Sequence, residues 1–561
     1  MKKHVLLTLC VALLAGVSAC SQPDGETSFH TIIQGGTVYD GLGGPGVQAD
    51  VGIVDDRIAK IGDLRSATAD TVVDATGKAV SPGFINMLSW AVGELFVDGR
   101  GMSDLKQGVT LEVFGEGTSL GPTSPAFKQS LEEMGGVSVP FLPWRTLGQA
   151  LWLMELKGVS VNVASFVGAA NIRMKHLGFS DRAPTPEELE AMREDVRVAM
   201  EEGAMGLGTA LIYPPGFFST TEELIALTEV VAEYGGMYTS HMRSEGAQLL
   251  EGIDEVIRIA RETGASANIY HLKAAGVPNW SKMDLALEKI EAARAEGLAV
   301  TADMYTYVAA GTGLEANLPP SVQEGGYDAM KQRIVDPAMR AEILAAMTTP
   351  SDEWEQLLLD AGGGENILVM GLTSAENRPH SGKSLKQIAD MRGTSEAETI
   401  LDLIVEENQR VFAMYFLMTE DNLVKQISKP WVAFNSDAQA VTEAADPTQL
   451  HPRAFGTFTR VLAKYVRDDN ILSLPDAIRK LSSLPADNLK LKDRGRLLPG
   501  AFADVVVFDP NKVQDHATFS EPSQYATGVE HVFVNGGHVL KDGEHNDVYS
   551  GRFVRGPGYS G

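Results

Sequence analysis

Apolar residues in this chain gather into eight runs of strand length, at residues 79–88, 109–114, 161–167, 204–209, 237–241, 265–271, 299–304 and 431–436. A helical period follows most of them. Runs that are apolar nearly throughout, rather than alternating with polar residues, belong to strands covered on both faces, as in a parallel sheet flanked by helices. Eight such units predict an α/β fold, a (β/α)8 TIM-type barrel, over residues 81–488. Residues 314–430, between the seventh and eighth runs, are too long for a loop and are read as an inserted subdomain.

The two ends have a different texture. Over residues 31–80, short β-branched runs alternate with turn signals such as Gly35-Gly36 and Asp55-Asp56. The same texture returns over residues 489–550, in Ala503-Asp504-Val505-Val506-Val507-Phe508-Asp509 and in His531-Val532-Phe533-Val534-Asn535-Gly536-Gly537. Both ends are therefore expected to build one composite β-sandwich beside the barrel, with residues 551–561 left as a tail.

Composition adds two constraints. The 561 residues are 44% hydrophobic and 22% charged, which is globular, and the net charge of −27 excludes a nucleic-acid partner because nothing would neutralise a phosphate backbone. The start of the chain reads as a signal peptide over residues 1–19: Lys2 and Lys3, an apolar stretch at 5–17, then Val17-Ser18-Ala19-Cys20. That exit resembles the lipobox of bacterial lipoproteins, which makes Cys20 the lipidation site and residues 20–30 a lipidated linker. With Ser21 next, the expectation is an exported protein, lipid-anchored at the outer membrane facing the periplasm and touching membrane through its anchor alone. Cys10 leaves with the signal, so no disulfide or thiolate ligand is expected in the mature fold.

Barrel chemistry gathers where strands end. The fifth and sixth runs end in His241 and His271, 30 residues apart, about one β/α repeat, which brings both imidazoles to one rim. A single strand-end histidine is more often structural; two in register favour a metal such as zinc. The eighth run ends in Phe434-Asn435-Ser436-Asp437, and local pattern leaves Asp437 open between a helix N-cap and a general base.

The order of Pro82-Gly83-Phe84-Ile85, Gly108-Val109-Thr110, Ser240-His241-Met242-Arg243, His271-Leu272-Lys273, Asp303-Met304-Tyr305, Ser436-Asp437, His451-Pro452-Arg453-Ala454-Phe455-Gly456-Thr457-Phe458 and Pro499-Gly500-Ala501-Phe502-Ala503-Asp504 resembles the D-aminoacylase-like amidohydrolases, the N-acyl-D-amino-acid deacylases. The likeness runs from about residue 30 to residue 550. It implies a barrel with a composite β-sandwich, His241 and His271 on the tightly held metal, and Asp437 as the catalytic acid–base. It also implies Arg453 on the substrate carboxylate, with Tyr305 and Lys273 as polar residues on the substrate side.

The chain departs from that pattern in informative places. Where the family carries His-x-His, this sequence has Asn86-Met87-Leu88-Ser89-Trp90, and no histidine lies between His30 and His176. A second metal site is therefore expected to be lost, with Trp90 filling part of its space. The family's cysteine ligand is replaced in the turn Phe114-Gly115-Glu116-Gly117-Thr118-Ser119, which makes Glu116 the expected third ligand; Glu112 competes for that place. Gly168-Ala169-Ala170-Asn171 and Gly311 also differ from the family around the substrate.

The expectation is one divalent metal, zinc, serving a hydrolase that opens an amide next to a carboxylate in a small N-acyl amino acid or related substrate. Metal-activated water is the nucleophile and Asp437 the general base. Two alternatives stand beside it. A cyclic amidase would want the missing histidines and a lysine ending the fourth run, which Ala204-Met205-Gly206-Leu207-Gly208-Thr209 lacks. An inactive envelope binding lipoprotein would have no need of the polar rim.

Overall fold

The computed structural model describes residues 28–133, 143–407, 409–442 and 450–560. The signal peptide and Cys20 lie outside them, and the expected linker already gives way to a strand at Phe29. Among the described residues no helix is long and apolar enough to cross a membrane.

All eight apolar runs carry parallel strands: β1 (Phe84–Asn86), β2 (Val109–Phe114), β3 (Asn162–Ser165, continued by Val167–Gly168), β4 (Gly206–Ala210), β5 (Met237–His241), β6 (Ser266–Ile269), β7 (Val300–Met304) and β8 (Val432–Phe434). Strands β1, β2 and β3 pair in that order. The continuation of β3 past Phe166 then pairs with β4, and β4 to β8 follow in sequence. The eighth strand returns to the first through Met87 N–H to the Phe434 carbonyl at 3.4 Å and a parallel bridge between Ser89 and Ala438. Strand side chains are buried on both faces, which is why apolar continuity marked them.

Helices cover the outside by ordinary amphipathic logic. Helix Pro186–Glu201 starts at Thr185 with a reciprocal capping box to Glu188, satisfying end donors, and buries Met192, Val196, Ala199 and Met200. Helix Leu249–Thr263 buries Ile253, Val256, Ile257 and Ala260, an i, i+3, i+4, i+7 stripe, and stops at left-handed Gly264. Each fully buried Ile or Val in such a stripe contributes about 1.5–3 kcal/mol.

The first run divides at Gly83. Ala79–Pro82 pairs antiparallel with Val505–Phe508, whereas only Phe84–Asn86 joins the parallel set. Thr110 packs so closely on Gly83 that no side chain fits there, and Gly83 N–H donates to the Asp504 carbonyl at 2.9 Å. The Ala79–Pro82 seam joins the chain ends into one nine-stranded sheet: Phe29–Val38, Val47–Val54, Arg57–Gly62 and Ala69–Asp74 on one side, Val505–Phe508, Val529–Val534, Gly537–Lys541 and Glu544–His545 on the other.

Two boundaries move. The insert builds its own antiparallel sheet from Ala310–Gly313, Ile367–Val369, Lys383–Ser384 and Phe412–Tyr415, so its β structure begins at residue 310, ahead of the expected 314. The expected tail is not loose. Gly551, Val554 and Gly556 donate to the carbonyls of Val159, Val163 and Gly203 at 2.8, 2.8 and 2.9 Å, because Phe553 and Val554 bury their side chains against the body.

Candidate metal centre

Register brings the two imidazoles together. Ser240 on β5 pairs with Ile269 on β6, so His241 ends its strand while His271 sits two residues past its own. The rings meet edge to face with centroids 4.5 Å apart. His271 adopts φ +32°, a strained value for a side-chain-bearing residue, and strain of this kind persists only where neighbours enforce it. The enforcing neighbour is Asp303 on β7: its carboxylate accepts the His271 backbone N–H at 2.7 Å, together with the amides of Asn268 at 2.8 Å and Asn435 at 2.5 Å. Burial, set against those donors, still pushes the Asp303 carboxyl up to about 6.

Glu116 arrives from the turn after β2. Gly115 and Gly117 hold φ +109° and +63°, and any Cβ would run into the Phe166 carbonyl or Ala210, so both must be glycine for this turn to form. Asn171 closes the loop, accepting Ser119 N–H at 2.8 Å and donating to the Ser119 carbonyl at 3.0 Å, which gives that departure from the family pattern a structural task. Glu116 Oε1 then lies 2.8 Å from His241 Nδ1 and 3.0 Å from His271 Nε2. One ligand atom from each of the three residues falls within 4.8 Å of the others.

Glu112 goes elsewhere. It is wholly buried inside β2, where Asn86 Nδ2 donates to it at 3.1 Å, to Asp104 at 2.9 Å and to Ser436 at 2.7 Å. Burial raises the carboxyls of both Asp104 and Glu112, and the neighbouring Glu112 raises Asp104 further.

Glu245 was not marked by the strand-end pattern, because it lies in the loop four residues beyond His241. Its Oε1 is 3.0 Å from His271 Nδ1 and 2.7 Å from Lys273 Nζ, and its Oε2 is 3.6 Å from His241 Nε2. Lys273, expected on the substrate side, lines the cavity but spends its ammonium on Glu245 and on His271 Nδ1, each at 2.7 Å. Burial alone would raise the carboxyls of Glu116 and Glu245, yet the imidazoles, with Lys273 for Glu245, hold both well below the usual carboxylate range. Burial and Lys273 oppose charge on His271, but Glu245 and Glu116 outweigh them and push it up to about 10. The pocket is thus built to attract positive charge.

Those residues fit a divalent cation. Two imidazoles and one carboxylate converge in a buried spot, His241 Nε2 has no hydrogen-bond partner, and Glu245 stands 3.0 Å from the far nitrogen of His271.

Asp437 and Arg453 face the same cavity of about 390 Å³. Asp437 takes φ +46°, its backbone N–H donates to the Leu88 carbonyl at 3.0 Å, and its Oδ2 lies 2.7 Å from Arg453 Nη1. The pair is buried, unlike a surface ion pair, and the Arg453 Nε has no partner. His451 Nδ1 accepts the Arg453 backbone N–H at 3.0 Å, fixing the start of helix Arg453–Arg460. The guanidinium stacks over Tyr305 at 4.5 Å, and the Tyr305 hydroxyl is buried without a partner. Leu88 is fully buried, while the Trp90 indole N–H reaches both Glu116 Oε2 and Asp437 Oδ1 at 3.1 Å. Tyr213, Met330, Phe412 and Leu417 line the apolar part of the cavity, and Gly311 lies beside Arg453.

Residues 71–540 match the family model described as the amidohydrolase family. The chain is 34% identical over 539 residues to a D-aminoacylase of Alcaligenes xylosoxydans xylosoxydans, covering 95% of this chain and 99% of the relative. It is also 34% identical over 512 residues to an N-acyl-D-glutamate deacylase of the same organism, covering 91% and 93%. Among solved structures, a D-aminoacylase studied for its binuclear metal centre, with one-metal activation and second-metal attenuation, aligns at TM-score 0.77 and 31% identity over 94% of this chain and 100% of that one. An N-acyl-D-glutamate deacylase from Bordetella bronchiseptica, complexed with zinc and a phosphonate mimic of the tetrahedral intermediate, aligns at TM-score 0.77 and 30% identity, covering 94% and 100%.

Proposed function

The chain belongs to the amidohydrolase family, with the D-aminoacylase-like deacylases as its relatives, and from that premise we propose that it is a single-metal deacylase of N-acyl amino acids. It is a hydrolase of carbon–nitrogen bonds other than peptide bonds. We read its eight parallel strands as one (β/α)8 barrel, on the strength of their order and the return of β8 to β1, and the two-ended sheet as the composite sandwich.

The observation that carries the reading is the meeting of Glu116, His241 and His271 within 4.8 Å in a cavity shared with Asp437 and Arg453. A divalent cation held by those three residues, zinc in this reading, supplies polarisation of the scissile carbonyl and of the attacking water. Asp437 takes the proton from water and delivers it to the departing nitrogen, so one carboxylate serves as base and then acid. Arg453, with Nε unused, pairs with the substrate carboxylate through its planar fork. Tyr305 offers its unpartnered hydroxyl to the substrate, and Glu245 with Lys273 holds the His271 ring. Cys20 anchors the enzyme in the outer membrane in this proposal, on the strength of the lipobox alone.

The test is metal content of the purified protein followed by amine release from a panel of N-acyl-D- and N-acyl-L-amino acids and their amides. One bound metal and preference for a free acid are expected. Two stoichiometric metals, or equal turnover of acid and amide, would overturn the single-metal, carboxylate-reading enzyme.

A further inference from the structure

The loop after β1 holds a tryptophan in contact with both acidic halves of the site. Trp90 Nε1 lies 3.1 Å from Glu116 Oε2 and 3.1 Å from Asp437 Oδ1, a three-centre arrangement in which one N–H serves two carboxylates. The remaining oxygens are taken too, since Glu116 Oε1 meets both imidazoles and Asp437 Oδ2 meets Arg453. The main chain makes the same link: Trp90 N–H donates to the Ala438 carbonyl at 2.9 Å, and Asp437 N–H to that of Leu88 at 3.0 Å. Ser89 and Ala438 form a parallel bridge between them. The backbone that carries the indole is therefore held to the Asp437 segment independently of the side-chain bonds.

One consequence follows from having this group there. An N–H carries partial positive charge without being a cation, so it draws the two carboxylates toward one point and reduces their repulsion without neutralising either. We propose that Trp90 is a positioning residue that sets the placement of Asp437 relative to Glu116. The proposal rests on the reading of Glu116 as a ligand and Asp437 as the acid–base.

Trp90→Phe removes the N–H and keeps the ring; Trp90→Ala removes both. For Trp90→Phe, kcat should fall about 10-fold with KM within about 3-fold, and zinc affinity measured by chelator competition should weaken about 10-fold, the lower range for loss of an outer hydrogen-bond partner. Zinc should still bind once per chain. In Trp90→Ala both losses should be at least as large. An independent readout uses the wild-type fold: with ¹⁵N-indole-labelled tryptophan, Asp437→Asn should shift one indole N–H resonance, the one absent from Trp90→Phe, even if no substrate is ever found. Unchanged kcat and zinc affinity in Trp90→Phe would overturn the positioning role. No indole shift in Asp437→Asn would remove the contact itself. If wild type binds no zinc while the indole still shifts, the failure lies in the functional reading and not in the Trp90 link.

Discussion

Glu245→Gln isolates a buried charge that the site depends on without changing side-chain shape. Glu245 lies 2.7 Å from Lys273 Nζ and 3.0 Å from His271 Nδ1, with its side chain 8% exposed and that of Lys273 3% exposed, so solvent screens little of the interaction. Taking one partner from a buried ion pair typically costs about 3–5 kcal/mol, because the other charge is left uncompensated. The glutamine carbonyl can still accept one hydrogen bond, so a loss near the lower end, about 3 kcal/mol, is expected in urea melts of the metal-free protein. Zinc affinity should fall about 10–100-fold, the usual scale for an outer partner of a ligating histidine, which corresponds to about 1.4–2.7 kcal/mol. Lys273→Met in the same background should restore most of the stability, having removed the stranded ammonium, but not the zinc affinity. The decisive assay is chelator competition on all three proteins at one pH. Wild-type zinc affinity in Glu245→Gln would show that Glu245 does not back His271, and an unchanged urea midpoint would show that its pairing with Lys273 contributes nothing net.

Asp437→Asn should keep the fold and the metal while kcat falls about 10²–10⁴-fold, the range of general acid–base help; retained turnover would remove Asp437 from the proton path. Arg453→Lys should raise KM for the free acid and shrink its advantage over the amide, since an ammonium keeps charge but loses the planar fork; an unchanged acid-to-amide ratio would refute carboxylate recognition. For the Asp104–Glu112 pair, burial raises both carboxyls, so between the unfolded carboxyl range near pH 4 and their folded values the native state holds more protons than the unfolded one. Stability from this pair is present below that window and lost as pH rises through it. Urea midpoints should therefore fall less between pH 5 and pH 8 in Glu112→Gln than in wild type, and an identical slope would contradict a protonated pair. Cys20→Ser should move the protein from the membrane to the soluble fraction without changing its melting temperature; unchanged fractionation would refute the lipid anchor.

How far the sequence could be read depended on whether one local property carried the information. Burial on both faces writes a strand as an apolar run, so all eight runs could be found without knowing their partners. Where the chain changes sheets inside a run, as at Gly83 between Ala79–Pro82 and Phe84–Asn86, hydrophobicity is silent, because both pieces are equally buried. The same blindness made residues 551–560 look like a tail: backbone pairing to Val159 and Val163 leaves no periodic trace in so short a segment. Glu116 was legible because the family resemblance puts it where a cysteine ligand would stand, and the flanking Gly115 and Gly117 hold the positive φ that its turn requires.

Glu245, Asp303 and Trp90 show the other side, since each acts through a partner distant in sequence. Asp303 lies near the end of β7, inside an apolar run, yet its oxygens hold the strained turn at His271, 32 residues earlier. Glu245 sits in a loop, and its own backbone N–H donates to Glu355 of the insert at 2.9 Å, so its position is set by a contact spanning 110 residues. A sequence pattern can nominate residue types that suit a metal, but the field that favours the cation is a sum over Glu116, Glu245 and Asp437 against Lys273 and Arg453, and that sum exists only once β2, β5, β6 and β8 meet. Trp90 makes the point most sharply: just past the first apolar run only its bulk is visible, and its N–H gains meaning from two carboxylates that lie 26 and 347 residues away along the chain.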